Sequence, residues 1–279
     1  MEIPSGVFDF LRRALEEDIG PGDITTDLLI PAEHTSRAHY LAKSDFVLAG
    51  IPFVNEVFRL LDPSLSFRSF FREGESIQKG AILAEVSGKT SGILAGERVS
   101  LNLLQRLSGI STLTRIYRDL VQGCTARIVD TRKTTPGLRF MEKYAVKTGG
   151  GSNHRFGLFD GILIKDNHIS AAGGIQKAVF LAKKAHHLMR IEIEVQTVQE
   201  LKEAIEAGAD IVMLDNMSVD EIKASVTAAH GRVLLEASGG VTLENVRAIA
   251  ETGVDFISVG ALTHSAPAVD ISLKIMAGV

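Results

Sequence analysis

Six short apolar segments in the second half of the chain alternate with amphipathic stretches, and this alternation limits the possible folds more than any other feature. The apolar segments are ARIVD, GILIKD, RIEIEV, DIVMLD, VLLEAS and DFISVG, all from residue 126 onward. Strands that alternate with helices predict a parallel sheet with right-handed crossover connections. Six such strands most simply curl into an open α/β barrel, and a flat, doubly wound sheet is the alternative.

The N-terminal part of the chain has a different pattern, which indicates one domain at residues 1–110 and a barrel domain at residues 111–279. Helical spacing of apolar residues predicts a helix over 5–18. Strand-like segments broken by Gly, Pro and Asp follow, and a long apolar helix is predicted over 94–121. The last residues of the chain are candidates to return to the first domain.

Composition excludes several classes of protein. The chain has 279 residues, a net charge of -4 and a pI near 6.1, which argues against general affinity for nucleic acid. No apolar run approaches the roughly 18 residues that a membrane span needs. The acidic N-terminal segment is unlike a secretory signal, and a single cysteine, Cys124, excludes an internal disulfide. We therefore expect a cytoplasmic protein that contacts neither nucleic acid nor membrane.

Polar residues follow every predicted strand, and all strands but the last end in a charged residue. The segments in question are DTRK at 130–133, KDNH at 165–168, Glu194, DN at 215–216, EASGG at 236–240 and GALTHS at 260–265. In α/β barrels the active site lies at the carboxyl ends of the strands. Burying such groups without partners would be costly, so the pattern predicts one shared polar cavity.

The segment RIEIEV sharpens this prediction. Alternate residues of a strand share a face, so Glu192 and Glu194 point to one side and Ile191, Ile193 and Val195 to the other. In a central strand the two carboxylates would point into the barrel and would need cationic or metal partners there. The alternative is an edge strand whose carboxylates face solvent. The flanking helical stretches favour the central strand.

The segment 127–168 supplies the opposite charge. It carries eight Lys or Arg and four Asp or Glu, so it is net +4 in an acidic chain. We interpret LRFMEKYAVK, at 138–147, as an exposed helical turn with solvated lysines. Arg132, Lys133 and Lys165 stand at strand ends instead, where Arg can bind a carboxylate with two hydrogen bonds and Lys supplies a point charge.

Two further features indicate a ligand. His154 and Arg155 follow three glycines, which would let the backbone approach a bound molecule closely. The segments 236–240 and 260–265 place small residues and hydroxyls between strand and helix, as in the phosphate sites of barrels. The chain has no Ser-His-Asp elbow, no Walker motif and no GxGxxG at a strand–helix junction, which disfavours acyl transfer, ATP hydrolysis and hydride transfer.

Several long segments give the chain a close resemblance to the quinolinate phosphoribosyltransferase family. They are LEEDIGPGDITTD at 15–27, GERVSLNLLQRLSGIST at 96–112, the block from VDTRKTTPG to KDNH at 129–168, IEIEVQ at 191–196, MLDNMS at 213–218, LEASGGV at 235–241 and DFISVGALTHSAPAVDISL at 255–273. The resemblance implies an N-terminal α/β sandwich, a C-terminal open, TIM-like α/β barrel and a homodimer with shared active sites. It also implies Mg²⁺-dependent conversion of quinolinate and 5-phosphoribosyl 1-pyrophosphate to nicotinate mononucleotide, pyrophosphate and CO₂, a step of NAD biosynthesis.

The resemblance also implies roles for individual residues. Quinolinate would be bound by Thr131, Arg132, His154, Arg155, Lys165 and Arg98 of the partner subunit. The phosphoribosyl pyrophosphate would be bound by Lys133, Glu194, Asp215, Ser238, Gly239, Gly240, Gly260, Ala261 and His264. Lys133, Glu194 and Asp215 would be catalytic, and Glu194 and Asp215 would hold Mg²⁺, in part through water. Without the resemblance, a surface role is the simpler interpretation of Arg98.

Two other functions stay open at this point. One is a same-fold paralogue, similar to the molybdenum-operon pyrophosphorylase-like proteins, that acts on a different anion. The other is a barrel that binds or supports a partner without catalysis. The cationic residues favour quinolinate over another anion, and Glu194 and Asp215 would be needless in a scaffold.

Overall fold

The computed structural model describes residues 2–276. Up to residue 120 the elements are α1 (Ser5–Ile19), α2 (Ile24–Leu29), β1 (Thr35–Ala42), β2 (Phe46–Val47), α3 (Ile51–Leu61), β3 (Ser66–Ser69), β4 (Ser76–Ile77), β5 (Ile82–Lys89) and α4 (Thr90–Leu120). They continue with β6 (Arg127–Val129), α5 (Arg139–Gly149), β7 (Ile162–Ile164), α6 (Asp166–Ala172), α7 (Ile175–Ala182), β8 (Ile191–Val195), α8 (Val198–Ala207), β9 (Ile211–Asp215), α9 (Val219–Ala229), β10 (Leu234–Ser238), α10 (Val246–Ala250), β11 (Phe256–Ser258), α11 (Ala261–His264) and β12 (Ile271–Ile275).

The chain forms two compact units. The first holds the described residues up to Leu113, together with Thr135–Gly150 and the described residues from Ala266 onward. The second holds Thr114–Thr134 and Gly151–Ser265. Helix α5 therefore belongs to the first unit, although the sequence places it in the domain 111–279.

The first unit is built on a four-stranded antiparallel sheet with the order β12-β1-β5-β3. Strand β1 alternates between exposed or half-buried and buried residues, as expected for a sheet with one face on the core. Helices α3 and α4 contribute Phe58 and Leu104 to the core on that face, where Tyr40 is fully buried. Strand β12 pairs with β1, so the end of the described chain returns to this sheet. The predicted α/β sandwich is confirmed.

The second unit contains the six predicted barrel strands, all parallel, in the order β6-β11-β10-β9-β8-β7. Successive strands lie side by side, and the first strand, β6, lies beside the last one, β11. This is the strand order of a barrel, whereas a doubly wound sheet reverses direction at a central strand. Among the described residues no ladder joins β6 to β7, so the barrel is open there, as predicted.

Strand β8 lies between β7 and β9 and is not an edge strand. Ile193 and Val195 are buried on its outer face, whereas Glu192 and Glu194 line the barrel interior. The predicted direction of the two carboxylates is therefore correct. Helices α8 and α9 flank the sheet here, and each begins with a hydroxyl cap, from Thr197 and Ser218 respectively.

One local prediction is wrong. The segment 138–147 is helical, as predicted, but it is not exposed, because most residues of α5 are buried, including Glu142 and Lys143. Within the first unit, the ring of Phe53 contacts Tyr144 of this helix with a centroid distance of 5.3 Å. Only Lys147 is exposed, as predicted. The charged residues suggested exposure to solvent, but they belong to an amphipathic helix whose polar residues are paired inside the protein.

None of the helices in the described part of the chain has both the length and the hydropathy that a bilayer-crossing segment requires.

Candidate active site

A cavity of about 590 Å³ opens at the carboxyl ends of the barrel strands, within the usual range for small-molecule sites. Predicted site residues that line it are Thr131, Arg132, Lys133, His154, Arg155, Lys165, Glu194, Asp215, Ser238, Gly239 and Gly240. They come from five strand ends and the segment that follows α5. The structure thus brings together residues that lie up to about a hundred positions apart in the sequence.

One part of the cavity wall is cationic. The Nε atom of Arg132 is buried and has no hydrogen-bond partner within residues 2–276. The Arg132 cation also acts on Arg155. Burial, and after it the positive charge of Arg132, lowers the pKa of Arg155. The Nη1 atom of Arg155 donates to the carbonyl of Gly161 at 3.1 Å. Two crowded guanidinium groups, one with a buried unpaired donor, form a site suited to an anion.

Carboxylates face these cations from β8 and β9. The side chain of Glu194 is only 10% exposed and is paired with Lys165, which follows β7. Asp215 accepts a hydrogen bond from Asn216 Nδ2 at 2.9 Å. Strand pairing sets this arrangement, because β8 and β9 are adjacent and end at the same rim. The cavity therefore presents both charges, which suits a polyanion bound beside a centre of developing positive charge.

The turn after β10 supplies a bare stretch of backbone. Gly239 and Gly240 have φ angles of 88° and 59°, in the left-handed region that side chains disfavour. A Cβ on Gly239 would lie 2.2 Å from Oδ1 of Asn216, so no other residue fits without movement. The hydroxyl residue Ser238 precedes this turn and also lines the cavity. The absence of side chains leaves backbone N–H groups accessible to an oxyanion.

Three predicted phosphate-binding residues, Gly260, Ala261 and His264, are not among those that line the cavity. They lie in and before the short helix α11, next to Lys133: a Cβ on Gly260 would be 3.1 Å from both Lys133 Cδ and His264 Nε2. Thr263 of the same helix donates to the carbonyl of Lys133 at 2.8 Å. In this structure α11 thus supports the lysine segment.

Arg98 lies in the first unit, near the start of α4, and is exposed. It lines a pocket of about 310 Å³ that also contains the carboxylates Glu17 and Asp18 and the side chain of Arg106. All of these residues belong to the first unit.

His154, Glu192 and Glu236 form a cluster whose ligand atoms all lie within 4.8 Å of one another, with both glutamates buried and His154 half-buried. His154 and Glu236 also line the cavity. His154 Nε2 lies 2.9 Å from Glu192 Oε2 and 3.7 Å from Glu236 Oε2. The Oε1 atoms of both glutamates are buried, and none of the described residues forms a hydrogen bond with them. Burial and the neighbouring Glu192 charge raise the pKa of Glu236. A second cavity, of about 430 Å³, reaches the same three residues.

Some cavity residues received no role from the sequence. They are Leu163, Met213, Asn216, Glu236 and Ser258. Glu236 and Asn216 stand in the strand-end segments, so their positions in the sequence could have identified them as site residues, although their side-chain chemistry did not assign them a role. Met213 and Ser258 each lie two residues before a strand-end position, and the two-residue period of strands could have placed them on the inner face.

This fold and site define a class: an α/β-barrel enzyme that binds small anionic substrates at the carboxyl ends of its strands. Residues 23–108 match the model of the quinolinate phosphoribosyl transferase N-terminal domain, and residues 110–274 match that of its C-terminal domain. The two matches cover most of the chain. The chain belongs to the quinolinate phosphoribosyl transferase family.

Relatives in distant organisms support the assignment. A probable nicotinate-nucleotide pyrophosphorylase (carboxylating) of Bacillus subtilis is 46% identical over 260 residues, covering 93% of this chain and 90% of the relative. The chloroplastic nicotinate-nucleotide pyrophosphorylase (carboxylating) of Arabidopsis thaliana is 45% identical over 285 residues, covering 95% of this chain and 81% of the relative. The solved nicotinate-nucleotide pyrophosphorylase of Francisella tularensis superposes with a TM-score of 0.93 at 42% identity, covering 99% of this chain and 98% of that one.

Proposed function

We propose that this protein transfers the phosphoribosyl group of 5-phosphoribosyl 1-pyrophosphate to quinolinate, with loss of CO₂. The products are nicotinate mononucleotide and pyrophosphate, so the reaction is a step of pyridine nucleotide biosynthesis leading to NAD. One observation carries the proposal: Arg132 has a buried, unpaired Nε beside Arg155, across a cavity from the carboxylates Glu194 and Asp215. A dicarboxylate would satisfy the first pair, and a ribosyl cation would be stabilised by the second.

The cationic residues bind quinolinate in this proposal. Arg132 and Arg155 each present a guanidinium that can form two parallel hydrogen bonds to a carboxylate. Lys165 exchanges its partner Glu194 for a substrate carboxylate or contacts both. Thr131 lines the same wall, and Arg98 of the partner subunit completes the set.

The remaining residues bind the phosphoribosyl pyrophosphate. Lys133, which is exposed at the rim, neutralises part of the pyrophosphate charge. Ser238, Gly239 and Gly240 offer the 5-phosphate a hydroxyl and unobstructed backbone. The residues Gly260, Ala261 and His264 contribute through the position of Lys133, which their helix supports.

Mg²⁺ fits the same wall. Glu194 and Asp215 provide only oxygen ligands, and Mg²⁺ in proteins is usually held by one or two carboxylates together with waters and substrate phosphates. When bound, the ion would neutralise the pyrophosphate leaving group. We propose that Glu194 and Asp215 hold it, in part through water.

The residues of the chain then have defined tasks. Glu194 and Asp215 stabilise the positive charge that develops at the anomeric carbon as pyrophosphate departs. Arg132 and Arg155 hold the pyridine ring so that its nitrogen faces that carbon. After the nitrogen is quaternised, the 2-carboxylate leaves as CO₂. The electron pair of the broken bond remains on the ring carbon, where the adjacent cationic nitrogen stabilises it, and a proton from solvent water then forms the C–H bond of nicotinate mononucleotide.

A single assay tests the function. Purified protein is incubated with quinolinate, phosphoribosyl pyrophosphate and Mg²⁺, and nicotinate mononucleotide is measured by mass spectrometry. The product should form only when all three are present. No product from quinolinate but turnover of another anion would mean the paralogue, and no turnover of any anion would mean a non-catalytic barrel.

The proposed homodimer has its own test. An Arg98→Ala chain is mixed with an Asp215→Asn chain, and mixed dimers are isolated by two affinity tags. If Arg98 serves the partner subunit, one of the two sites in each mixed dimer is intact, and activity should recover to roughly a quarter to a half of the wild-type value. No recovery in verified mixed dimers would contradict a shared site. A cytoplasmic location stays a prediction.

A further inference from the structure

Both ring nitrogens of His154 are engaged in the barrel interior. The backbone N–H of Arg155 donates to Nδ1 of His154 at 2.8 Å, and Nε2 lies 2.9 Å from Glu192 Oε2. A nitrogen that accepts a hydrogen bond carries no proton, so the proton of the neutral ring is on Nε2 and is donated to Glu192. The ring therefore has no nitrogen left for a carboxylate of quinolinate.

The same geometry excludes a metal site at this cluster, although one imidazole and two carboxylates are a common donor set. A metal-bound histidine normally donates its second ring N–H to an acceptor. Here the second nitrogen, Nδ1, accepts from Arg155 instead. A metal at Nε2 would require a ring without either proton. The geometry of the cluster therefore fits a hydrogen bond from His154 to Glu192 and not a bound metal ion.

This hydrogen bond is one link in a chain that ends at Arg155. The backbone N–H of His154 donates to Asp130, a fully buried residue next to β6, at 2.9 Å. His154 in turn holds the backbone of Arg155, and Gly161 holds its guanidinium. A Cβ on Gly161 would lie 3.2 Å from Arg155 Cβ, so the arginine is also closely packed.

We propose that Glu192 is a positioning residue for quinolinate: it fixes the tautomer and orientation of His154, and His154 fixes the backbone of the quinolinate-binding residue Arg155. The proposal rests on the proposed function for the identity of the ligand. The role belongs to the hydrogen-bond acceptor of Glu192, because acceptance from Nε2 is what sets the tautomer. His154 itself acts through Arg155 and not by direct contact with the substrate.

Two substitutions separate this role from a role of charge or bulk. Glu192→Gln keeps an oxygen that can accept from His154 Nε2, whereas Glu192→Ala removes the acceptor. With the full chain and Mg²⁺, Glu192→Ala should raise the KM for quinolinate by roughly 10- to 100-fold and leave the KM for phosphoribosyl pyrophosphate unchanged. Glu192→Gln should restore the quinolinate KM to within about threefold of wild type. Equal defects in both variants, or a normal KM in Glu192→Ala, would overturn the proposal.

The chain offers a matched control. In the first unit, His39 Nε2 and Glu85 Oε2 form another histidine–glutamate pair, at 3.0 Å. Glu85→Ala removes the acceptor from that pair and should leave the KM for quinolinate unchanged. An equal rise in Glu85→Ala would show that loss of any such pair disturbs the enzyme, which would contradict a specific role of Glu192.

A second measurement does not depend on activity. In wild-type protein labelled with ¹⁵N-histidine, the His154 signals are identified by their loss in His154→Gln. At neutral pH they should show a protonated Nε2 and an unprotonated Nδ1. A charged ring, a protonated Nδ1, or a shift of these signals on addition of Zn²⁺ would overturn the proposal. If the wild type made no nicotinate mononucleotide, the proposed function would fail while this tautomer result could still hold.

Discussion

Two buried carboxylate clusters in this chain differ in how completely their hydrogen bonds are made. In the first unit, Glu142 is fully buried; its Oε1 accepts from Arg106 and its Oε2 from the backbone N–H of Thr135 at 3.0 Å. In the second unit, Glu192 and Glu236 each have one buried oxygen that no residue in the described part of the chain bonds. Glu142, Glu192 and Glu236 are all buried, so burial alone does not distinguish the two clusters.

This difference separates a carboxylate that is buried for stability from carboxylates that are buried at a functional site. Native proteins pair nearly all buried polar atoms, and an exception needs an explanation. Glu142 is saturated and holds α5 in the first unit. Glu236 and Arg132 have bonding capacity left beside the cavity, and Glu192 has it beside the adjoining second cavity that Glu236 also lines. Unpaired groups of both signs at one place indicate a site that is completed by a ligand.

The most severe test of this contrast is Arg132→Ala. If Arg132 binds a carboxylate away from water, its loss should weaken quinolinate binding by about 2–5 kcal/mol. The free energy of unfolding should hardly change, because Arg132 Nε has no hydrogen-bond partner to lose among the residues that the structure describes. Isothermal titration with quinolinate measures the first quantity and urea unfolding the second. Normal binding in this variant would remove Arg132 from the site.

Glu142→Ala should show the opposite behaviour. Removing this carboxylate takes one acceptor from Arg106 and one from the Thr135 N–H, and breaking such a buried pair costs about 3 kcal/mol of stability. Urea unfolding measures the loss, and Glu142→Gln, which keeps an acceptor, should lose less. A full-length variant as stable as wild type would mean that saturation of this cluster does not stabilise the first unit.

A smaller effect is expected at the glycine turn. Gly239→Ala places a Cβ against Asn216 in a backbone conformation that disfavours side chains, which should cost about 1–2 kcal/mol. It should also raise the KM for phosphoribosyl pyrophosphate more than that for quinolinate. Gly231→Ala is the control, since Gly231 also has a positive φ but an open surrounding space. Equal KM effects in both variants would exclude a substrate role for the turn.

The smallest predicted effect is in the pH dependence of stability. Burial and Glu192 raise the pKa of Glu236 above its ordinary value of 4.5, so the folded protein retains this proton to higher pH than the unfolded chain. The stabilising contribution of the proton on Glu236 is complete below pH 4.5 and is lost as the pH rises through the raised pKa. Relative to Glu236→Gln, wild type should lose on the order of 1 kcal/mol between about pH 5 and pH 8. If the free energies of unfolding of the two proteins changed in parallel with pH, the pKa of Glu236 would not be raised in the folded protein.

The sequence predicted the barrel because strand and helix periodicities are local. RIEIEV alternates at a period of two, and this alone indicated that Glu192 and Glu194 share a face. Strand ends in a parallel barrel meet at one rim, so Arg132, Lys165 and Asp215 could be grouped without coordinates. The same reasoning failed for Lys143, because charge suggests solvent while the partners that allow burial lie elsewhere in the chain.

The amino-acid order by itself determined the parallel strands, their inner and outer faces and the family to which the chain belongs, since these depend on short-range pattern and extended identity. Only the tertiary structure decided which buried atoms are paired. His154, Glu192 and Glu236 come from three separate segments, and Glu142 meets Arg106 across a long stretch of sequence. Hydrogen bonds depend on distances of about 3 Å in space, which no local pattern specifies.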